Sequence, residues 1–163
     1  MKNPQAIMLV YGEGGHEAQM KRLLAALPGI EESGLAKIAY AEGSATEFGT
    51  FEQLARCEPL RDKHHRFSAL KAILSVWKNI LLFHELLRNW DVKVLITTGP
   101  GVALSAAVLA RLHGIKVIHI ETWCRFYSKS FTGRLMYRLA NHFYVQNKEL
   151  LVLYPKAVWC GRL

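Results

Sequence analysis

Short apolar runs alternate along this chain with stretches whose apolar positions recur at helical spacing. The first run, Ala6–Tyr11, predicts a buried strand, and His16–Leu27 predicts a helix that Pro28-Gly29 ends. Further strands are predicted near Lys37–Ala41, Cys57–Arg61, Val92–Thr98, Lys116–Glu121, His142–Gln146 and Ala157–Cys160, and helices near Ser68–Trp90, Val102–His113, Ser130–Asn141 and Asn147–Leu153. Pro59 restricts the third strand to an edge. The alternation predicts an α/β protein, a Rossmann-like parallel sheet with helices on both faces.

The longest predicted helix, Ser68–Trp90, carries two apolar stripes. One stripe consists of Leu70, Ile73, Leu74, Trp77 and Leu81, and the other of Val76, Ile80, Phe83, Leu87 and Trp90. A membrane-spanning helix needs about 20 mostly apolar residues, which the charges of Lys71 and Lys78 interrupt. Two interpretations stay open. The helix lies in a membrane interface or docks a partner through Trp77, Leu81, Lys71 and Lys78, or it is buried between the sheet and its neighbours.

Composition narrows the class of protein to a globular domain in a reducing compartment. Hydrophobic residues make up 51% of the 163 residues and charged residues 21%, so residues 1–163 are expected to form one domain. Cys57, Cys124 and Cys160 form no CxxC pair, which argues against disulfides and against a metal site. No apolar leader segment precedes the first strand, and we expect a chain that starts in the cytoplasm.

The net charge of +8 makes nucleic acid, anionic lipid and phosphorylated ligands plausible partners. The basic residues are dispersed, without a basic arm or a helix–turn–helix pattern, and we therefore predict that nucleic acid is not a partner. The predicted partners are instead a membrane surface and a phosphorylated molecule.

Two glycine loops follow predicted strands, where parallel sheets collect their ligands. The first loop, Gly12–His16, contains Gly14 and Gly15, and its backbone N–H groups at a helix start suit a phosphate or diphosphate. Glu17 stands where a dinucleotide fingerprint needs its third glycine, and no Gly-Lys-Ser/Thr follows, which argues against NAD and ATP as cofactors. The second loop, Thr98-Gly99-Pro100-Gly101, has a similar design, and alone it also fits a tight turn before a buried helix.

Later segments carry a resemblance to a known family. They are Ile118–Arg125, Ser130–Leu135, Phe143–Gln146 and Tyr154–Val158 with Gly161, and the two glycine loops precede them in the family's order. Together they resemble the acceptor-side, membrane-recruiting subunit of the two-component UDP-GlcNAc transferase that elongates dolichol-diphosphate-linked GlcNAc. The bacterial counterparts are glycosyltransferase subunits of capsule and exopolysaccharide synthesis. The resemblance covers almost the whole chain.

The resemblance implies half of an enzyme. It implies a fold equivalent to the N-terminal half of a GT-B glycosyltransferase, with a separate donor-binding subunit supplying the half that binds the UDP-sugar. The acceptor would be a polyprenyl-diphosphate-linked saccharide, and no cofactor is implied. The family's eukaryotic members carry an N-terminal membrane anchor, and this sequence shows no such segment before its first predicted strand. We therefore expect a bacterial peripheral protein on the cytoplasmic face of the cell membrane.

Candidate roles follow for individual residues. Gly12, Gly14, Gly15, Thr98, Gly99 and Gly101 are expected to bind the acceptor diphosphate, with charge added by Arg125. His16 is a candidate base for the acceptor hydroxyl or else fixes its loop by a hydrogen bond. Glu121 is a rival base or hydroxyl ligand, or else forms an ion pair, and His119 is interpreted as a sheet residue. The alternative function is a non-catalytic α/β binding or scaffold protein of a membrane polysaccharide-assembly complex.

Overall fold

The sheet confirms the predicted fold class. The computed structural model describes residues 3–45, 51–59 and 69–163. Within them the strands are β1 (Gln5–Tyr11), β2 (Ala36–Glu42), β3 (Gln53–Cys57), β4 (Asp91–Thr97), β5 (Lys116–Ile120), β6 (His142–Val145) and β7 (Val158–Trp159). All neighbouring pairs are parallel, in the order β3-β2-β1-β4-β5-β6-β7. The order changes direction between β1 and β4, so the crevice for a ligand is expected at their carboxyl ends.

Helices cover both faces of this sheet. They are α1 (Gly15–Ala26), α2 (Gly29–Glu32), α3 (Ala69–Asn89), α4 (Val102–Leu112) and α5 (Phe131–Leu139), with a 3-10 helix at Lys148–Val152. Phe83 of α3, Ala106 of α4 and Met136 of α5 share one buried cluster with one face of the sheet. Met20 and Leu23 of α1 share a second cluster with the opposite face. Burying apolar surface on both faces is what stabilises a parallel sheet.

The third strand lies earlier than predicted. The sequence analysis placed it at Cys57–Arg61, whereas β3 spans Gln53–Cys57, and residues 60 and 61 lie outside the described part of the chain. Within β3, Ala55 and Cys57 are buried while Arg56 is exposed, which is the alternation of an ordinary strand. Pro59 has no N–H to give to a ladder and therefore follows the strand instead of joining it. Its predicted edge position is confirmed.

The two stripes of α3 have different surroundings. Phe83 is fully buried, and Leu82, Leu87 and the following Trp90 are partly buried against the same cluster. The described side chains of the other stripe face solvent, with exposed fractions of 64% for Ile73, 51% for Leu74, 61% for Trp77 and 54% for Leu81, while the side chain of Leu70 lies outside the described residues. Helix α3 therefore combines a packed face with an exposed apolar face, and each interpretation of the sequence described one of them.

None of the helices in the described ranges is long and apolar enough to cross a membrane.

Candidate functional site

The two glycine loops touch at the carboxyl ends of β1 and β4. A Cβ atom on Gly12 would lie 2.6 Å from Cγ of Pro100, so only glycine lets the loops approach this closely. The Thr98 hydroxyl donates to the carbonyl oxygen of His16 at 2.9 Å. In the other direction, Nδ1 of His16 lies 2.6 Å from the carbonyl oxygen of Thr98. The structure thus joins the two sequence-predicted loops into one unit.

Gly99 is glycine for two reasons. Its φ of +96° is in a region that L side chains rarely adopt. A Cβ atom there would also lie 2.7 Å from Cε1 and 2.9 Å from Nδ1 of His16, because the imidazole rests against the backbone of the second loop. Gly99 therefore sets the position of the ring.

The hydrogen bond of His16 fixes its tautomer. A carbonyl oxygen only accepts, so Nδ1 carries the proton and Nε2 keeps its lone pair. Burial lowers the pKa of His16, while the bond to Thr98 and the charge of Glu121 act in the opposite direction. No described residue hydrogen-bonds Nε2. The ring is therefore held by one nitrogen, and the lowered pKa keeps the other nitrogen unprotonated at neutral pH, as a general base requires.

Two helices begin beside His16 without side-chain caps. The residue before α1 is Gly14, with a φ of +66°, and the residue before α4 is Gly101. A Cβ atom on Gly14, Gly15 or Gly101 would meet no atom within 4 Å, so the space next to both helix starts is open. The first N–H groups of a helix generally lack a partner within it and carry its positive partial charge. In α4 those of Ala103 and Leu104 donate to the carbonyl oxygens of Pro100 and Gly101, so α1 offers the larger set of N–H groups without a partner in the helix. This arrangement suits an anion with more than one phosphate.

Glu121 is buried at the end of β5 and its carboxylate is surrounded by donors. Oε1 accepts from the backbone N–H of Thr122 at 3.1 Å, and Oε2 accepts from the Tyr154 hydroxyl at 3.3 Å. The Ser130 hydroxyl donates to the carboxylate and accepts from the N–H of Gly133 at 2.7 Å, which caps α5. Burial, followed by the Glu121 charge, raises the pKa of Tyr154, so this hydroxyl stays a donor.

Gly133 makes room for that carboxylate. A Cβ atom at this position would lie 1.7 Å from Oε2 of Glu121 and 2.7 Å from the hydroxyl oxygens of Ser130 and Tyr154. The requirement is steric, since Gly133 lies inside α5 and its φ is not positive. The end of β5, the start of α5 and the segment after the 3-10 helix thus pack together around the Glu121 carboxylate.

The backbone of Glu121 is also anchored. Its carbonyl oxygen accepts from Nε2 of Gln19 at 3.2 Å and from Nε2 of Gln146 at 3.0 Å, and both amides are buried. Oε1 of Gln146 in turn accepts from the backbone N–H of Leu163 at 3.0 Å. Helix α1, the end of β6 and the last described residues therefore meet at the end of β5.

Arg125 hydrogen-bonds within the loop that follows β5. It is exposed, and its guanidinium donates to the Ser128 hydroxyl at 3.1 Å within the same loop. The side-chain amide of Asn147 donates to the carbonyl oxygens of Trp123 and Arg125 and holds that loop. The structure brings together His16, Gly12, Thr98 and both helix starts, whereas the guanidinium of Arg125 hydrogen-bonds within the neighbouring loop.

His119 is confirmed as a sheet residue. It lies in β5, pairs in register with Thr97, and is 2% exposed with its ring 5.1 Å from that of Phe143. Burial lowers its pKa to about 3, with the charge of His16 as a second cause. Neither ring nitrogen has a hydrogen-bond partner among the described residues. His119 is therefore neutral at physiological pH.

The sequence-predicted cation of α3 is paired. Nζ of Lys78 lies 2.6 Å from Oε1 of Glu58, and both side chains are substantially exposed. The Ser75 hydroxyl donates to the same carboxylate. Lys71 belongs to α3, but its side chain lies outside the described residues. The exposed apolar stripe is thus accompanied by a partly neutralised lysine.

Sequence reasoning missed the roles of Ser130, Gly133, Tyr154 and Gln146 around Glu121. Ser130 did carry a signal, because a serine just before a predicted helix is a preferred N-cap. Tyr154 lies 33 residues from Glu121 in the chain, and no local pattern indicates that the two meet.

The chain has a Rossmann-like fold that resembles those of GT-B glycosyltransferases and of epimerases. Its fold resembles that of MurG from Acinetobacter baumannii, with a TM-score of 0.63, 17% identity and coverage of 87% of this chain and 41% of that one. A UDP-N-acetylglucosamine 2-epimerase gives a TM-score of 0.68 at 14% identity, with coverage of 94% and 45%. At these identities the likeness shows the fold alone. The chain spans less than half the length of either structure.

The chain belongs to the family described as oligosaccharide biosynthesis protein Alg14 like, whose profile matches residues 7–163. Relatives named UDP-N-acetylglucosamine transferase subunit ALG14 include the rat protein, 27% identical over 181 residues that cover 96% of this chain and 82% of the relative. The human protein is 28% identical over 178 residues (97% and 82%), and that of Kluyveromyces lactis 27% over 191 residues (100% and 80%). Membership of the Alg14-like family, which the motifs indicated, is confirmed.

Proposed function

We propose that this chain is the acceptor-binding, membrane-associating subunit of a two-chain inverting glycosyltransferase. It would serve the transfer of a sugar from a UDP-sugar to a polyprenyl-diphosphate-linked saccharide in capsule or exopolysaccharide synthesis. The observation that carries the proposal is the pair of uncapped helix starts beside a histidine whose Nε2 is available. The name that its relatives share, a subunit of a UDP-N-acetylglucosamine transferase, supports the subunit role.

The acceptor diphosphate binds at the two helix starts. Its oxygens accept from the first N–H groups of α1 and from the N–H of Val102 in α4, and the open space beside Gly14 and Gly101 admits the ligand. Gly12 and Gly99 serve indirectly, because they let the loops and the His16 ring pack together. Arg125 adds positive charge from the neighbouring loop.

The UDP-sugar binds to a separate donor-binding subunit. A GT-B enzyme needs two domains of roughly 100–200 residues each, and this chain provides one acceptor-binding domain. Its coverage of 41% and 45% of two solved chains of this class fits that division. Without its partner the chain is inactive.

In the reaction, the acceptor hydroxyl oxygen attacks the anomeric carbon as the bond to UDP breaks. The hydroxyl proton passes to Nε2 of His16, and the resulting imidazolium is stabilised through Nδ1 by the Thr98 carbonyl oxygen. Glu121 is the rival base, but three donors already occupy its carboxylate. We therefore assign Glu121 to positioning the loop after β5.

The membrane is contacted through the exposed stripe of α3, which includes Trp77 and Leu81. The first half of α3 lies at the carboxyl edge of the sheet, the edge that carries the glycine loops, because a helix between parallel strands runs back across the sheet. The chain sits on the cytoplasmic face of the cell membrane as a peripheral protein, where Lys71 and Lys78 add weak attraction.

The test is reconstituted transfer. The chain is purified with its donor-binding subunit, and transfer from a panel of UDP-sugars to a polyprenyl-diphosphate-linked saccharide is measured for the wild type, His16→Ala and the control His142→Ala. His142 is exposed at the opposite edge of the sheet. We expect His16→Ala to lower kcat about 10²-fold or more while complex formation persists.

Unchanged transfer by His16→Ala would remove this residue from the mechanism. A stable complex that transfers no sugar, and a wild-type chain that binds no polyprenyl diphosphate, would favour the non-catalytic scaffold instead.

A further inference from the structure

The loop between β5 and α5 exposes aromatic side chains. Phe126, Tyr127 and Phe131 are 37%, 82% and 76% exposed, and the first two rings lie 6.2 Å apart. Large aromatic side chains usually bury most of their surface in the folded protein. Three of them exposed within six residues therefore indicate a surface with a partner.

The charge around these rings has one sign. Residues 122–148 contain no Asp or Glu, while Arg125, Lys129 and Arg134 lie next to the aromatic residues. Lys129 places Nζ 5.0 Å from the ring centre of Tyr154. None of these three cations is in an ion pair with another described residue. We call this set of aromatic and basic residues the rim surface; its members are Arg125, Phe126, Tyr127, Lys129, Phe131 and Arg134.

The loop has internal support. Asn147 holds the carbonyl oxygens of Trp123 and Arg125, and the guanidinium of Arg162 lies 5.5 Å over the ring of Phe126. Ser130 fixes the start of α5 through its bond to Gly133. Tyr127 and Phe131 therefore project from an anchored backbone.

The position of the rim surface matches that of the α3 stripe. Helices α3, α4 and α5 each join consecutive parallel strands, so all three begin at the carboxyl edge of the sheet. Helix α4 packs between the other two. The exposed residues Ile73, Leu74 and Trp77 thus lie on one side of the uncapped start of α4, and the rim surface lies on the other.

We propose that the rim surface is a second membrane-contact surface, which places Tyr127 and Phe131 in the headgroup region of an anionic bilayer. Aromatic rings favour this region, and each nearby Lys or Arg is attracted to anionic lipid. Charge complementarity favours lipid as the occupant, because the surface is basic and holds no carboxylate. Stable attachment generally needs two signals, and the α3 stripe supplies the other.

The arrangement fixes an orientation. Two contacts on either side of α4 turn the carboxyl edge of the sheet towards the lipid, with the starts of α1 and α4 at headgroup level. The proposal rests on the membrane association in the proposed function, because the α3 stripe supplies the other contact. Its test needs neither a donor sugar nor transfer activity, so its failure is distinguishable from a failure of the proposed transfer reaction.

The first test is vesicle flotation of the full chain with phosphatidylcholine alone and mixed with phosphatidylglycerol. We expect preferential binding to the mixed vesicles. Lys129→Gln with Arg134→Gln is expected to weaken it about five-fold for each charge removed, and Tyr127→Ser with Phe131→Ser to weaken it at least as much. The controls lie at the opposite edge of the sheet: Leu112→Ser, at a side chain that is 77% exposed, and Lys116→Gln, both expected to bind as wild type.

The second test reports insertion at the loop itself. Cys124 is exposed in this loop, whereas Cys57 is buried, so a Cys160→Ser chain takes an environment-sensitive dye at Cys124. We expect a blue shift of dye emission on mixed vesicles. The same dye on Leu112→Cys, in a chain lacking Cys124 and Cys160, is expected to show none.

Wild-type flotation by both double variants, or a bound chain without a dye shift, would overturn the proposal. So would double variants that float normally but no longer bind the donor-binding subunit, because the rim surface would then be a protein interface. Unchanged circular dichroism and thermal midpoints show that each variant is folded.

Discussion

The surroundings of His16 and of Glu121 differ in how many of their polar groups are already used. Beside His16, the first N–H groups of α1 and α4 have no side-chain cap, and Nε2 has no hydrogen-bond partner among the described residues. Around Glu121, the carboxylate accepts from three donors and the carbonyl oxygen from two amides. A site that binds a ligand keeps hydrogen-bonding groups without protein partners, whereas a structural hub, here the residues around Glu121, satisfies its hydrogen-bonding groups within the protein. The comparison predicts that changes at Glu121 affect stability and that changes at His16 affect chemistry.

The largest expected loss of stability is that of Gly133→Ala. The new methyl group would overlap Oε2 of Glu121 and crowd Ser130 and Tyr154, so the hub must open. We expect the free energy of unfolding to fall by about 3 kcal/mol, measured by urea denaturation. Gly101→Ala is the control, since its Cβ meets nothing and its φ of −56° suits any residue. Equal stability of the two variants would contradict the steric role of Gly133.

Glu121→Ala and His16→Ala should separate the two regions. Glu121→Ala leaves the buried Tyr154 hydroxyl and the partly buried Ser130 hydroxyl without their acceptor and should cost about 2–3 kcal/mol of stability. His16→Ala loses one partly buried hydrogen bond and should cost about 1 kcal/mol. The measurement is the shift of the thermal midpoint of each variant. A larger loss for His16 than for Glu121 would reverse the comparison.

His119 makes stability depend on pH. Its pKa of about 3 in the folded chain lies below the ordinary value of 6.5, so the unfolded chain binds the proton more readily. Stability should be constant above pH 6.5 and should fall by about 1.4 kcal/mol per pH unit between pH 6.5 and 3 for this residue alone. His16, with its lowered pKa, adds to the fall just below pH 6.5.

His119→Leu isolates that effect. Leucine leaves no buried ring nitrogen to protonate, so the variant should lose less stability than the wild type as the pH falls. Urea denaturation of both chains at pH 7 and pH 5 measures the difference. Parallel pH profiles would show that the ring is not buried neutral.

Gly99→Ala is expected to change stability less than Gly133→Ala. Positive φ costs an L residue about 1–2 kcal/mol, and the methyl group would also displace the His16 ring. We therefore expect a modest fall in the thermal midpoint with a greater loss of transfer. A variant that is destabilised but fully active would show that the ring position is not critical.

The local parts of this structure were predictable, and the long-range ones were not. The first glycine loop was predictable because a buried strand, a glycine turn and a helix are adjacent in sequence. The edge strand was predicted too late in the chain because Cys57 is the last residue of β3 and not its first. Residue propensities alone do not distinguish the end of a strand from its start. The periodicity of α3 predicted two apolar stripes, but only the packing of the folded chain decides which stripe is buried, and it is the one that contains Phe83. The donors around Glu121 come from distant segments and leave no periodic signal.

Gly14 has a thermodynamic consequence. Its φ of +66° and ψ of −118° are closed to the residues that ordinarily cap helices, so the chain itself cannot satisfy the first N–H groups of α1 with a side chain at this position. Those groups are satisfied by solvent or by whatever anion binds there. The thermal midpoint should therefore rise with the concentration of such an anion. At one hundred times the Kd of the anion, the free energy of unfolding should increase by about 2.7 kcal/mol. The protein without bound anion would be less stable to unfolding, and the anion would contribute to the stability of the folded chain.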